Sequence, residues 1–404
     1  MSYRLFPLSP WQQGLLTVSM TTFYGPLAAP VHSSRCWLPG WPTLTLIVLA
    51  GIAVGAAPGC SPTADSAVGV AAERASDEVN LCVRIDRALA HARDGRLLDQ
   101  RVTGAWQVVH GILAFGDELP LATAGGKTTA LAWLLDGGAL RGWRLRPGSQ
   151  GVVATIEEGS TTGQGHPDQW IGYLAQCGLD GLSVDTPISV NGKLHTLRDL
   201  LSQAQADIRP GAEATWTLMA LSAWLPPESS WTSSDGRTWT IEDVVAMEAA
   251  ADIDGAACGG CHRLFGLVQA LAAHRAGVNG SEQGSEQGSE RGGWAEAEAR
   301  IEACIEIARR HQQPDGSFSV HFFERPGTSA DVFARLGATG HIFEFLVAAL
   351  DDERLAEPWV TRAATRLVTL LEQTADVDVE CGALYHAVHG LRLYRERVCG
   401  TAAE

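Results

Sequence analysis

Apolar residues recur at helical spacing along most of the chain from about residue 80 onward. Six segments are nearly free of charge and place apolar residues around a Trp or a His. Segments of this kind are expected to form helices that are buried on most sides. They comprise residues 104–115, 168–177, 214–225, 260–273, 340–350 and 382–394.

A second set of segments alternates with the first and is apolar on one face only. Ile301, Cys304, Ile305 and Ala308 form the i, i+3, i+4, i+7 stripe of one such helix, and Pro358 suits the first position of another. This pattern predicts half-exposed helices between the buried ones. The predicted set comprises residues 83–92, 195–208, 241–251, 294–312 and 358–372.

The buried segments recur with a regular period. We measure this period between one marker residue in each segment, namely His110, Trp170, Trp216, His262, His341 and His386. The steps are 60, 46, 46, 79 and 45 residues, and the longest step contains a Gly-Ser-Glu-Gln loop at residues 278–293. A unit of about 45 residues with alternating helices predicts an all-α fold, an (α/α)6 toroid of helical hairpins around a central axis.

Two local motifs resemble the terpenoid cyclase and protein prenyltransferase superfamily. The string Gln312-Gln-Pro-Asp-Gly-Ser-Phe318 resembles the Gln-x-x-Asp-Gly-x-Trp turn of squalene and terpenoid cyclases, with Phe318 in place of the Trp. Tyr385 and His386 resemble the Tyr-His pair of prenyltransferase β-subunits, in which the His is a zinc ligand. The resemblance implies an α/α-toroid fold and makes His386 the counterpart of that ligand.

The catalytic motifs of this superfamily are absent from the sequence. The acid motif Asp-x-Asp-Asp of squalene-type cyclases has no match, and the nearest strings, at Asp252 and Asp376, lack the last Asp. The Asp-x-Cys zinc pair of prenyltransferases is also missing, since no Asp precedes Cys258, Cys261 or Cys381 by two residues. The resemblance therefore implies the fold without either activity.

The most specific motif in the chain is Cys258-Gly-Gly-Cys261-His262. It matches the attachment pattern of c-type haem, in which two thioether bonds fix the porphyrin and the His ligates iron. Two other interpretations stay open at this point. The residues can form another metal or redox site, or they can pack structurally where an inner helix begins.

The toroid prediction has consequences for where these side chains lie. If the inner helices run parallel, their N-termini share one mouth of a central cavity, where Cys and His ligands would suit zinc. The alternative is that they pack between helices. The metal or haem candidates are Cys258, Cys261, His262, His341, Cys381 and His386. The side chains expected to line the cavity are His110, Trp170, Trp216, Phe265, Phe345 and His389.

The first 60 residues differ from the rest of the chain in charge. They contain two Arg and no Lys, Asp or Glu, and the apolar run at residues 43–59 ends at Cys60. This pattern resembles a signal peptide with a bacterial lipoprotein cleavage box, in which Cys60 would carry the lipid. The alternatives are an apolar segment that is retained or cleaved without a lipid, and a buried helix. Residues 61–79 are small and polar and are predicted to be a flexible tether to a toroid domain at 80–404.

Net charge narrows the range of functions. With 30 basic and 46 acidic residues the formal charge is −16, which argues against a nucleic-acid partner.

We expect an exported protein of the cell envelope or periplasm, held at the membrane by its N-terminus. It would bind a small molecule, peptide or glycan in the cavity, without cyclase activity. The alternatives are a haem or metal redox protein, and a cyclase-like or glycan-cleaving enzyme of toroid fold.

One further loop is a candidate for function. His166 and Asp168 precede the second buried segment, and a loop that enters a toroid cavity can carry catalytic residues. The more conservative interpretation is that Asp168 is the N-cap of the helix that follows.

Overall fold

A computed structural model describes residues 80–157, 165–280 and 292–400, all of which fall in one compact unit, Pro62–Glu404. The predicted export segment with Cys60, the tether and most of the loop at 278–293 lie outside the described residues. The described chain is mostly helical, as predicted. Its α-helices are α1 (80–94), α2 (Ala105–Phe115), α3 (Ala130–Leu135), α4 (Gln169–Gln176), α5 (Leu197–Asp207), α6 (Thr215–Trp224), α7 (Ile241–Ala250), α8 (Cys261–Gly280), α9 (Gly293–His311), α10 (Val332–Ala349), α11 (Asp352–Leu355), α12 (Pro358–Gln373) and α13 (Cys381–Val398).

Every segment predicted to be helical from its apolar period overlaps one of these helices. The largest difference is in α10, which begins at Val332 and not near Gly340. His341 therefore lies in the third turn of its helix, whereas the sequence placed it at the helix start. The short helices α3 and α11 were not predicted, because six and four residues are too few to show a helical period.

Six helices pack against one another in a cyclic order. Helix α2 contacts α4, α4 contacts α6, α6 contacts α8, α8 contacts α10, α10 contacts α13, and α13 contacts α2. We call these the six cyclic helices. Each of them contains one of the nearly uncharged segments that the sequence predicted to be buried. Around them, α7 and α9 contact α8, and α12 contacts both α10 and α13.

Glycines permit the closest approaches between cyclic helices. A Cβ atom added at Gly340 of α10 would lie 2.9 Å from the Cα of Ala387 in α13. A Cβ atom at Gly172 of α4 would lie 2.5 Å from the Cβ of Trp216 in α6. Both distances are shorter than carbon atoms tolerate, so a larger residue at either position would push the helices apart.

The strands correct the all-α prediction. The described chain contains β1 (Leu98–Asp99), β2 (Pro120–Thr123), β3 (Gly126–Thr129), β4 (Trp143–Pro147), β5 (Val152–Ile156), β6 (Pro187–Val190), β7 (Lys193–Thr196), β8 (Ser230–Thr232) and β9 (Thr238–Thr240). They form a three-stranded sheet of β1–β3, with β1 and β2 parallel, and three antiparallel hairpins, β4–β5, β6–β7 and β8–β9.

A helix follows directly after each of the hairpins β2–β3, β6–β7 and β8–β9. The last residue of each of these hairpins is a Thr. Thr129 accepts a hydrogen bond from the Ala132 amide at the start of α3, and Thr240 does the same for Asp243 at the start of α7. Thr196 occupies the equivalent position before α5. A Thr at this position satisfies backbone N–H groups that the first helical turn leaves unpaired. The hairpins β2–β3, β6–β7 and β8–β9 thus fix where α3, α5 and α7 begin.

Among the described residues, α10 is the one helix with the length and apolar composition needed to cross a membrane. Some 61% of its apolar window is buried inside the protein, which is the pattern of a core helix. Its contacts with α8, α12 and α13 account for this burial.

A disulfide joins the two ends of the described chain. Cys82 of α1 is bonded to Cys399, which follows α13, over a sequence separation of 317 residues. An ion pair of 2.8 Å between Arg395 and Asp86 connects the same two helices. This pairing could not be predicted from the sequence, since disulfide connectivity cannot be deduced from the spacing of cysteines in so long a chain.

We expect the substitution Cys399→Ser to lower the free energy of unfolding by roughly 2–5 kcal/mol, because the disulfide restricts a long loop in the unfolded chain. Urea denaturation of the oxidised wild type and the variant measures the difference. Under a reducing agent the two proteins should unfold at the same urea concentration. Equal stability of the oxidised proteins would contradict the prediction.

Candidate metal centre

Imidazole rings from four of the cyclic helices meet in the protein interior. His262 of α8 lies 5.2 Å from His341 of α10 and 4.7 Å from His386 of α13, measured between ring centroids. The His341 and His386 rings are 4.2 Å apart, and His110 of α2 lies 5.3 Å from His386. All four rings are buried, with at most 6% of each residue exposed. Buried imidazoles at this density need either hydrogen-bond partners or a ligand.

A thiol and two imidazoles converge at one edge of this cluster. The potential ligand atoms of Cys258, His262 and His341 all lie within 4.8 Å of one another. Zinc bonds of about 2.0–2.3 Å in tetrahedral geometry require ligand atoms about 3.5 Å apart, so small side-chain movements would close the set. Sulfur and imidazole nitrogen are the ligands that zinc prefers in proteins.

The backbone at Cys258 is strained. Its φ of 51° and ψ of 41° are left-handed, and it sits in a short turn, Ala257–Gly260, just before α8. A residue other than Gly in this region costs about 1–2 kcal/mol, and such residues concentrate at functional sites. The adjacent Gly259 leaves room for Phe322, since an added Cβ would lie 2.2 Å from the Phe322 Cγ. Phe322 itself has a φ of 52°, so two strained residues flank the site.

The orientation of His341 leaves one ring nitrogen available. Its Nδ1 donates a hydrogen bond of 2.7 Å to the Gly337 carbonyl, which can only accept. In the neutral form of the ring the lone pair lies on Nε2, as in metal-bound histidines whose other nitrogen is held by a carbonyl, and a metal that binds there displaces the Nε2 proton. Burial lowers the pKa of His341, but the charge of the Cys258 thiolate and hydrogen bonds to Cys258 and Gly337 outweigh it and raise the pKa to about 9.

A buried carboxylate orients the neighbouring histidines. Glu344 accepts hydrogen bonds from His386 Nδ1 at 2.8 Å, from His389 Nδ1 at 2.5 Å and from Gln176 Nε2 at 3.1 Å. This leaves the His386 Nε2 buried, with no hydrogen-bond partner among the described residues. The Nδ1 of His262 is also buried and has no hydrogen-bond partner among the described residues. Both nitrogens are therefore free to act as ligands, and they lie beside the thiol and imidazoles that converge at this cluster.

Burial also sets the charge state of these histidines. It lowers the pKa values of His262 and His386 well below the ordinary 6.5. Both rings are therefore neutral at pH 7, which is the form that binds metals.

His110 has a different role from its neighbours. Its Nδ1 donates to the Trp106 carbonyl at 2.7 Å, and its Nε2 accepts from the Tyr173 hydroxyl at 3.0 Å. That hydroxyl in turn accepts from Gln169 Nε2 at 3.2 Å. Burial lowers the pKa of His110 to about 4, so the ring is neutral and both nitrogens are occupied within the protein.

The structure separates the six metal or haem candidates. It brings Cys258, His262 and His341 together and places His386 beside them. Cys261 is buried at the first residue of α8, outside the set. Cys381 begins α13, where its Sγ lies 3.7 Å from a Glu380 oxygen.

The surroundings of His262 do not fit a c-type haem. Its ring is enclosed by the rings of Trp216 at 5.2 Å, His386 at 4.7 Å and His341 at 5.2 Å. A porphyrin bound to the His262 nitrogen would occupy the space that these rings fill.

The predicted cavity-lining side chains lie in the packed interior, each with at most 7% of its surface exposed: His110, Trp170, Trp216, Phe265, Phe345 and His389. Trp170 also borders a pocket of about 330 Å³ next to Trp143, away from the histidines. Side chains thus fill much of the space that the sequence assigned to a central cavity.

Two acidic residues differ from the sequence predictions, since Glu344 was not a candidate and the side chain of Asp168 does not cap its helix. Glu344 is the single acidic residue in the stretch 340–350, and this contrast is the sequence feature that could have identified it as a buried functional carboxylate.

Asp168 does precede α4, but its side chain makes no capping bond. Its φ is 57°, and its carboxylate accepts a 2.5 Å hydrogen bond from the Thr217 hydroxyl. Asp168 is thus the N-cap residue of α4, as predicted, but its side chain bonds to Thr217 and not to the helix amides. His166 pairs with Glu213 at 2.8 Å and packs on Trp216.

The chain matches no protein-family model, no curated protein and no solved structure. The resemblance to terpenoid cyclases and prenyltransferases therefore stays a prediction from its two short motifs.

The substitution Asp168→Asn should change how stability depends on pH. Burial raises the pKa of Asp168 to about 6, from an ordinary 3.8. Between these values the folded protein holds a proton that the unfolded chain has lost, so stability falls as pH rises from 4 to 6. Asn carries no such proton and tolerates a left-handed backbone.

The free energy of unfolding of wild type should thus fall relative to the variant by up to about 1.4 kcal/mol per pH unit in this window. Denaturation curves at several pH values measure it. Parallel profiles for the two proteins would show that Asp168 is not the titrating group.

Proposed function

We propose that the protein is a metal-binding (α/α)6 toroid that holds a zinc-class divalent ion through Cys258, His262 and His341. The observation that carries the proposal is the convergence of one thiol and two imidazoles within 4.8 Å. A soft and borderline ligand set of this kind favours zinc over calcium or magnesium, which prefer oxygen.

The toroid part of the proposal is supported by the cyclic order of the helices. Six helices with a sequence period of about 45 residues contact their neighbours in turn, and the last contacts the first. Helices α5, α7, α9 and α12 alternate with them along the chain, as outer helices would.

The coordination number bears on what the site does. Three protein ligands leave the fourth tetrahedral position for a water molecule, a ligand or the unpartnered Nε2 of His386. Zinc sites with three protein ligands and an open position are typical of enzymes, whereas structural sites are closed. Cys258 is the one partly exposed member of the set, so access runs past this residue. We place the small molecule, peptide or glycan ligand on that side.

The proposed location is outside the cytoplasm, at the membrane. The disulfide between Cys82 and Cys399 supports export, since such bonds form and persist in oxidising compartments. The apolar run before Cys60 supports a lipid anchor at that residue.

A second function is favoured by one contact. The Cys258 thiol and the His341 imidazole lie within 4.8 Å of each other, and the charge of Cys258 raises the pKa of His341, as in a thiolate–imidazolium pair. Pairs of this kind activate the thiol nucleophile of cysteine enzymes. A nucleophile needs no metal, and this separates the two proposals.

Elemental analysis of the full chain after zinc loading and dialysis tests the metal site. We expect one zinc ion per chain for wild type and none for Cys258→Gly or His341→Gln, because each removes a ligand. The matched control is Cys261→Ser, which changes the other thiol of the same motif and should retain the zinc. The metal-free Cys258→Gly variant should be about 1 kcal/mol more stable than metal-free wild type, since Gly relieves the left-handed strain.

Two outcomes would contradict the zinc proposal. A wild-type protein that retains no zinc, and whose Cys258 is alkylated by iodoacetamide equally fast with and without a chelator, would favour the nucleophile. Loss of zinc in Cys261→Ser together with its retention in Cys258→Gly would show that the ligand set is wrong.

A further inference from the structure

A narrow cleft lies between α1 and α12, on a part of the protein separate from the histidine cluster. Its volume is about 220 Å³. Its floor is apolar and is formed by the buried side chains of Ala92, Leu371 and Leu384, with Ala88 beside them. Pockets for drug-sized ligands occupy about 300–1,000 Å³, so this cleft suits a thin, flexible chain better than a ring system.

The rim of the cleft is basic, in a chain whose net charge is −16. Arg84, Arg87, His91 and Arg96 border it, and the one acidic residue among the lining side chains is Glu372. Glu372 is already neutralised, because Arg84 donates to both of its oxygens, at 3.0 and 2.7 Å. The surplus positive charge therefore faces the cleft.

The arginines differ in whether they are free to bind an anion. Arg96 donates to the backbone carbonyls of Thr374, Ala375 and Val377, which holds it in place at the end of α12. Arg87 is exposed and has no hydrogen bond or ion pair with any described residue. It shares one face of α1 with Val83, four residues earlier, which is 50% exposed. An anionic head group can thus pair with Arg87 while an apolar chain enters the cleft.

We propose that this cleft binds a long-chain fatty carboxylate, with its carboxylate on Arg87 and part of its alkyl chain against Ala88 and Leu384. The apolar floor accounts for the chain, and the guanidinium accounts for the anionic head, since arginine binds carboxylates through paired hydrogen bonds. None of the residues involved belongs to the candidate metal centre, so this inference is independent of the proposed function.

Binding of cis-parinarate, a linear fluorescent fatty carboxylate without a ring, to the full chain tests the proposal. Wild type should bind the probe saturably. Arg87→Glu should weaken binding by at least about tenfold, through loss of the ion pair and repulsion of the carboxylate. Ala88→Trp should abolish binding by filling the cleft. The matched control Arg310→Glu makes the same charge change on an exposed residue of α9 and should bind as wild type does.

Competition identifies what the cleft recognises. Dodecanoate should displace the probe, whereas dodecanol, which has the same chain without the charge, should displace it far less. Equal displacement by the two compounds, or unchanged affinity in both Arg87→Glu and Ala88→Trp, would overturn the proposal. Thermal melting of each variant separates loss of binding from loss of folding. Cys258→Gly should leave probe binding unchanged, so a failure of the metal proposal is distinguishable from a failure here.

Discussion

The structure depends on satisfying a group of polar side chains in the middle of its helices. His262, His341 and His386 come from three different helices and lie in mutual contact where most proteins place aliphatic residues. Glu344 is buried among them and accepts three hydrogen bonds. Because Gln176 of α4 and two histidines of α13 bond to Glu344 of α10, these three helices cannot shift independently without leaving a buried polar atom unpaired. Polar complementarity thus fixes their relative positions, in addition to apolar burial.

The rest of the fold holds this interior in place. Gly172 and Gly340 let the helices approach closely enough for their side chains to meet. The disulfide between Cys82 and Cys399 fastens α1 to the end of α13, and α13 carries His386. The left-handed backbone of Cys258 costs free energy that a Gly in the same turn would not cost. Packing alone therefore does not account for a cysteine at this position. The proposed role of the thiol, as a ligand or a nucleophile, would explain why the strained residue is a cysteine.

The apolar period predicted the helices well, because burial of one face or of all faces leaves a direct trace in the sequence. The hairpins escaped notice because each strand has only three to five residues. Even so, Asn191-Gly192 is a strong two-residue turn signal, and both residues have positive φ. The sequence named Cys258, His262 and His341 as candidates within a larger group. It could not separate them from Cys261 and Cys381, because that depends on helix register and side-chain direction. Glu344 shows the same limit, since its partners lie 42, 45 and 168 residues away.

The X-ray absorption spectrum of the zinc-loaded full chain at the zinc edge tests the proposed metal centre most directly. Coordination by Cys258, His262 and His341 predicts one sulfur at about 2.3 Å and two or three imidazole nitrogens at about 2.0 Å. A third imidazole nitrogen would show that His386 occupies the fourth coordination position. A first shell of oxygen alone, or one with two or more sulfurs, would contradict the assignment of the centre to Cys258, His262 and His341.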